Sequence, residues 1–494
     1  MSTIPLRVES GGLLPELIHG YVSLRSQGGK SIFSAKSVPK KLEPYQAKSK
    51  DRTSAIKTLQ KMGFEIVADS RMGVAITGKA GAYEELTGGK LVSVEMLSWE
   101  SGSVQRYRSH IDIIGKKQPK DCGLGKIDSA AAKLEGLIIE RPQTYAGIFP
   151  TPVPPVVDDY YIRVPDDVAL MLGANEAHRQ GHMGKGVEVV MVDSGQAAHP
   201  FFTAHHYDVK PTITVVPGTN PSQDPVGHGT GESANIFALA PESTLQAIRG
   251  SDNNGNLVGA IGGFLRAKQL SPAILTNSWG GNGPFPPNSA PSSSDIAWAT
   301  EIFDAVQSGI FVIFSAGNGS FTIEPQVPGV LAAGGAFVSR DLDVQASNYA
   351  SGYVSPWFRD VTVPTVCGLV GQLPRAKYIM LPLPPGCQID VGNSQPSSTD
   401  PEPDGTGSND GWARFSGTSA AAPQLAGVAA MILAAKPGLT PKQVTTAMTA
   451  TAVDITAGNC HPRFNNPAVS GHDAATGHGL VDASAAVQFA ISNF

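Results

Sequence analysis

Four cysteines in 494 residues, Cys122, Cys367, Cys387 and Cys460, leave no pair at metal-ligand spacing. Their spacing therefore offers no cysteine metal-site motif. Cys367 and Cys387 could close a loop in an oxidising compartment, but free buried thiols are the expectation where no export signal is read. Charge is sparse as well: Asp, Glu, Lys and Arg make up 16% of the chain and sum to −5. Such a balance argues against a nucleic-acid or anionic-membrane partner, and the Lys-rich patch from Lys30 to Arg52 reads as a local solvated loop. No apolar run approaches the roughly eighteen residues of a membrane span. The stretch Met1-Ser2-Thr3-Ile4-Pro5-Leu6-Arg7 lacks an apolar core of signal-peptide length, so the expected location is cytoplasmic or reached by non-classical export.

What the chain does hold is a 41% hydrophobic composition with 55 Gly and 38 Pro, fitting a well-buried globular enzyme with many tight turns. Its length predicts two domains, or one large domain with an extension. Within residues 1–117, the segment 53–97 reads as a small α+β unit: a helix with Ala55, Ile56, Leu59 and Met62 on one face, ended by Gly63, then strands over 64–68 and 73–77, a short helix near 82–86 and a strand over 91–97. Residues 118–165 lose periodicity, and Thr151-Pro152-Val153-Pro154-Pro155 reads as stiff linker. From 166 to 494 apolar strands (187–192, 245–248, 274–278, 310–315, 330–333) alternate with helices (228–239, 257–269, 295–306, 419–435). This is the pattern of an α/β fold with a doubly wound parallel sheet. Residues 354–412, rich in Pro, Ser, Gly and Asp, read as an inserted surface excursion.

Four short signatures carry the chemistry. Asp193 ends a buried apolar strand and precedes Ser194-Gly195; His228 lies between Gly227 and Gly229; Ser419 follows Gly417-Thr418 and opens an Ala-rich helix; Asn318 stands between Gly317 and Gly319 after a strand. A serine hydroxyl is a poor nucleophile near neutral pH and needs an imidazole base held by a third group. At a helix N-terminus, unpaired N–H groups and the macrodipole favour an oxyanion, and an amide such as Asn318 can donate to it. Each residue alone has a plain structural reading: Ser419 as a helix cap, Asp193 and Asn318 as turn formers. Reacting groups of parallel sheets gather at the carboxyl ends of strands, where Asp193 and Asn318 both fall, and the set of four points to a serine hydrolase. His178 and His182 lack the intervening carboxylate of a zinc-protease motif. His199, His205 and His206 read as a surface cluster, and 252–256 as plain loop.

With these blocks the chain resembles the subtilisin-like serine proteases, or subtilases. Gly186 to Gly195, Gly227-His228-Gly229-Thr230, Ser416-Gly417-Thr418-Ser419-Ala420-Ala421-Ala422-Pro423 and Gly477 to Ala483 are similar to the family's blocks, and the order Asp193, His228, Ser419 is the family's order. Residues 53–97 resemble, more weakly, a propeptide. The resemblance implies an endopeptidase made as a self-processing zymogen that cuts its own chain between about Asp121 and Asp166. In that reading Asp193 orients His228, His228 activates Ser419, and Asn318 binds the oxyanion. Ser278-Trp279-Gly280-Gly281 resembles the cleft-edge segment that pairs with an extended protein or peptide substrate, Trp279 lining a subsite or the core. No cofactor is implied for catalysis; structural calcium is common in the family, but no ligands are assigned here. Gly231 and Ala420 replace the family's frequent His and Met. A peptide ligase or cyclase using the same acyl-enzyme, and a non-catalytic peptide binder, are the alternatives; a binder needs none of the four chemical groups.

Overall fold

Residue-by-residue alternation in three strands sorts their side chains between two cores. Val189 and Met191, Ile274, and Phe311 and Ile313 point into one; Val190 and Val192, Leu275, and Val312 and Phe314 point into the other. Strands buried on both faces must lie between layers of helices. The computed structural model describes residues 8–9, 12–35, 37–99, 105–114, 122–127, 133–141, 144–145, 159–398 and 400–494. In it a nine-stranded sheet runs in the order Asp208–Val209, Thr244–Arg249, Glu188–Asp193, Ile274–Asn277, Phe311–Ser315, Leu331–Val338, Val344–Ala346, with Ile213–Thr214 and Val366–Leu369 as side branches. Every pairing in this sheet is parallel except that of Val344–Ala346. The α/β doubly wound reading is therefore the observed fold.

On the first core pack the helices His228–Leu239, Thr418–Ala435, Pro441–Ala450 and Ala483–Asn493; on the second lie Ala260–Gln269 and Ser293–Gln307. The Thr418–Ala435 helix is apolar all round, as a helix enclosed on every side must be. By length and composition it is also the one helix among the described residues able to cross a membrane, yet 89% of that stretch is buried inside the protein. Ser293–Gln307 starts at a capping box in which Ser292 and Asp295 exchange hydrogen bonds.

Strand order sets the location of a site. After Glu188–Asp193 the chain adds Thr244–Arg249 on one side and Ile274–Asn277 on the other. The connecting helices His228–Leu239 and Ala260–Gln269 lie on opposite faces of the sheet, and at such a switch point the carboxyl ends of the strands border the crevice where open α/β sheets bind ligands.

Two of the sequence boundaries need correction. The N-terminal sheet runs Glu65–Asp69, Gly73–Gly78, Ile18–Leu24, Leu134–Ile139, Leu124–Lys126, so its central strand precedes residue 53 and two others come from the stretch read as linker. Lys90–Trp99 leaves that sheet and pairs with Gln105–Ile114. Pairings between strands more than a hundred residues apart carry no local periodicity. Thr151 to Pro155 lies outside the described residues. The second correction concerns 354–412: Val366–Leu369 joins the main sheet beside Leu331–Val338, and Ile379–Pro382 pairs with Trp412–Arg414, all but Trp412 buried. Their four-residue and three-residue lengths between Pro and Gly hid strands that are interior.

One face of the N-terminal sheet makes its own core with the helices Ser49–Lys61 and Ala80–Thr87. The other face, through Tyr21, Ala68, Ala75 and Ile138, continues the second core of the main sheet. Polar contacts tie the two: Tyr21 and Ser70 donate to the buried Glu301 Oε1 at 2.7 and 2.6 Å, and the half-exposed Arg71 reaches Asp304, while Lys268 pairs with the same two carboxylates from within the main unit. The carboxyl of Glu140 accepts from the Ile261 N–H at the start of the Ala260–Gln269 helix, and its burial pushes its pKa up to about 8.

Candidate active site

Asp193 is the last residue of its strand and is buried. Its Oδ1 accepts from the Ser194 N–H and from His228 Nδ1, the latter at 2.7 Å. His228 opens a helix whose first turn is held by Asp224: one carboxylate oxygen accepts from the Gly227 N–H, the other from the N–H and hydroxyl of Thr230. Gly229 permits the close approach, since a Cβ there would lie 2.1 Å from the Gly195 carbonyl oxygen and 3.1 Å from Asp193. Gly231 likewise faces the Phe415 ring, which a Cβ would meet at 2.7 Å, so the larger residue of many relatives has no room. Burial alone would lower the proton affinity of His228; the charge and hydrogen bond of Asp193, with Glu232 and Asp224 adding, outweigh it and raise the pKa to about 9.

Ser419 sits in the first turn of the Thr418–Ala435 helix and is fully buried. Two neighbouring segments clamp that turn. The Ser278 hydroxyl donates to the Ser419 carbonyl at 2.9 Å, and Ser419 Oγ faces the Ser278 carbonyl at 3.5 Å. Asn318 Oδ1 accepts from the N–H and hydroxyl of Thr418 at 2.9 and 3.0 Å, and the Gly317 N–H donates to the Thr418 hydroxyl. Holding its oxygen on Thr418 turns the Asn318 NH₂ the other way. Gly317 has φ of 103°, and a Cβ would meet Ser320 Oγ at 2.1 Å, so the turn presenting Asn318 requires glycine there. The two halves meet through Phe415, four residues before Ser419, whose ring centroid lies 6.1 Å from that of His228, and through the Trp279 indole, which donates to the Val192 carbonyl next to Asp193.

The cleft-edge residues separate into two kinds. Trp279 is 1% exposed and stacks on Trp298, so its side chain is core and lines no subsite. Its indole packs against Trp298 and Phe314 in the layer between sheet and helices. Backbone, by contrast, is used: Trp279–Gly280 pairs antiparallel with Thr144–Tyr145 of this same chain, Trp279 opposite Tyr145 and Gly280 opposite Thr144. The Gly281 N–H donates to Thr322 Oγ1.

Sequence reasoning missed Asp224, Glu232 and the buried amides Asn235 and Gln424. A carboxylate four residues before His228 was a readable helix-start signal, and Glu232 lies one helical turn beyond it. Neither attracts notice until the fold shows both buried.

Among the described residues no group of three or more His, Cys, Asp or Glu is placed to hold a metal ion. The 252–256 turn does not fit calcium, because the Asp252 carboxylate is used by the Asn254 and Asn256 N–H groups and the Asn256 amide, and Arg249 donates to the Asp252 carbonyl. All four cysteines are buried thiols outside any disulfide, and burial pushes those of Cys387 and Cys460 up to about 12 and about 11.

The subtilase family model matches residues 184–479. The chain is 25% identical to subtilisin J of Geobacillus stearothermophilus over 85% of its own length and 95% of that protein. It is 26% identical to subtilisin E of Bacillus subtilis strain 168, covering 76% of this chain and 85% of that one. Among solved structures, fervidolysin from Fervidobacterium pennivorans, a keratinolytic enzyme related to subtilisin, superposes with a TM-score of 0.53 at 18% identity. That match covers 99% of this chain and 64% of fervidolysin, so the chain spans about two thirds of that structure's length.

Proposed function

Because the chain belongs to the subtilase family of serine proteases, whose chemistry needs no cofactor, we propose that it hydrolyses peptide bonds through Asp193, His228 and Ser419. The observation that carries this reading is the buried 2.7 Å hydrogen bond from His228 Nδ1 to Asp193, and it is supported by Phe415, four residues before Ser419, whose ring lies 6.1 Å from that of His228. With its Nδ1 proton committed to Asp193, the imidazole offers Nε2 as the base. It takes the proton of Ser419 as Oγ attacks the scissile carbonyl. The Asn318 NH₂ and the Ser419 N–H at the helix start stabilise the oxyanion. His228 then returns the proton to the leaving amine, and water releases the acyl group by the same steps in reverse.

Loss of the Asn318 donor tests the oxyanion role separately. Asn318→Asp keeps an acceptor for Thr418 and removes the NH₂, so kcat should fall by about 10²–10³ with a small change in KM. An unchanged kcat in a folded variant would remove Asn318 from the site.

The protein or peptide substrate is expected to lie along Ser278–Gly281 as an added strand. Support comes from the chain itself, whose Thr144–Tyr145 strand occupies that edge and runs from Gly280 toward Trp279 and Ser278, and Ser278 contacts Ser419. Self-cleavage is therefore expected on the C-terminal side of Tyr145 and before Asp166. The N-terminal unit then acts as a docked propeptide. N-terminal sequencing of the purified wild-type protein beside Ser419→Ala tests this: the wild type should begin within that window and the variant should remain whole. Equal processing of both would mean that another protease makes the cut, and an uncut wild type would end the zymogen reading.

A further inference from the structure

Glu232 is a second acid at the imidazole. It lies one helical turn beyond His228, is fully buried, and its Oε1 stands 3.8 Å from His228 Nε2, the nitrogen opposite the one bound by Asp193. A buried polar chain fixes it there. The Leu369 N–H donates to Gln424 Oε1 at 2.7 Å, Gln424 Nε2 to Asn235 Oδ1 at 3.0 Å, and Asn235 Nδ2 to Glu232 Oε2 at 3.0 Å. Oε1 itself has no hydrogen-bond partner among the described residues. A carboxyl group is costly to bury, and the hydrogen bond shown to this one comes from Asn235.

We propose that Glu232 is a positioning residue which sets the pH at which His228 becomes available as the base, by presenting a second carboxyl group to the Nε2 edge of the imidazole. The proposal rests on the triad reading above.

The charged surroundings are few. Of the elements packed against the His228–Leu239 helix, the Glu188–Asp193 strand ends in Asp193, and the Asp166–Met171 helix carries Asp166 and Asp167. The Thr418–Ala435 helix and the Ile379–Pro382 strand have no ionisable acid or base. Asp224 holds the start of the helix. Among the described residues, His228 is the one ion-pair partner of Glu232. Burial pushes the Glu232 pKa up to about 8, with the His228 charge opposing and Asp193 reinforcing that rise. The two groups therefore titrate as a coupled pair over the neutral range. As Glu232 ionises it stabilises the imidazolium, and so raises the pH needed to free the base.

The sign for a variant follows. Glu232→Gln retains an acceptor for Asn235 and removes the charge, so the His228 pKa falls. The acid limb of the pH profile for inactivation by a fluorophosphonate should move about one unit lower, making the rate below the limb about tenfold faster relative to the alkaline plateau. Glu232→Asp, which keeps a carboxyl, should return the limb toward the wild-type position. An acid limb of Glu232→Gln that superimposes on the wild type would overturn the proposal. Were that variant not to fold, titration of the His228 ring nitrogens by NMR in the Ser419→Ala chain decides the matter. Two inflections, one from each member of the pair, are expected, and a single inflection would overturn it. Absence of any Ser419-dependent inactivation in the wild type would instead fault the triad reading.

Discussion

Replacing Ser419 by alanine should lower kcat on a peptide substrate by about 10⁶-fold while leaving the fold intact, the magnitude of the corresponding change in a subtilisin. The two effects separate because of how the hydroxyl is held. Its contact with the Ser278 carbonyl is long, at 3.5 Å, so the alanine variant should lose less than about 1 kcal/mol of stability. The clamps on this turn use other atoms: the Ser419 carbonyl bound by the Ser278 hydroxyl, and Thr418 bound by Asn318. Thermal unfolding beside steady-state kinetics checks both halves of the expectation. A variant that retains more than about one part in a thousand of the activity would mean that the attacking group is elsewhere, since oxyanion stabilisation and binding account for only the residual rate over water.

Asp193→Asn should cost about 10⁴ in kcat near neutral pH. In the proposed triad the Asp193 carboxylate accepts the Nδ1 proton of His228, which would leave Nε2 as the base. Asparagine can turn its NH₂ toward Nδ1 and drive the proton to Nε2, where it cannot receive one from Ser419. It also withdraws the negative charge that stabilises the imidazolium, and the His228 pKa should fall from its raised position near 9. The volume is unchanged and the Ser194 N–H can still find an acceptor, so stability should drop far less than activity. Measuring kcat across pH 6 to 10 distinguishes the two causes. A pure loss of charge would shift the acid limb downward, whereas the wrong tautomer lowers the plateau itself. A plateau within tenfold of the wild type would contradict the orienting role.

The candidate site was legible in the sequence to the extent that its residues announce themselves by their neighbours. Asp193 terminates an apolar run, Asn318 lies between two glycines, and His228 and Ser419 each fall at a helix start, so strand ends and helix starts are what pointed to a shared site for the four. The five core strands were readable for the same reason: burial on both faces makes a continuous apolar segment. Trp279 was undecided because an indole suits either a subsite or a core, and only its stacking on Trp298 separates them. Glu232 and Asp224 escaped because a carboxylate near a helix start reads as ordinary solvated charge until both prove buried. The N-terminal boundary failed for another reason. Ile18–Leu24 and Leu134–Ile139 are neighbours in a sheet, and pairing over such a separation leaves no trace in local periodicity. Val366–Leu369 was lost in a Pro- and Gly-rich stretch because four residues are too few to show a period.

Peptide mapping of the adduct formed with a fluorophosphonate, on the wild type and on His228→Ala, tests the central claim most directly, because it asks for the nucleophile and its base together. The account predicts a single adduct on Ser419 that forms at least about 10³-fold more slowly without the imidazole. An adduct on a different serine, or equal labelling of Ser419 in both proteins, would contradict it.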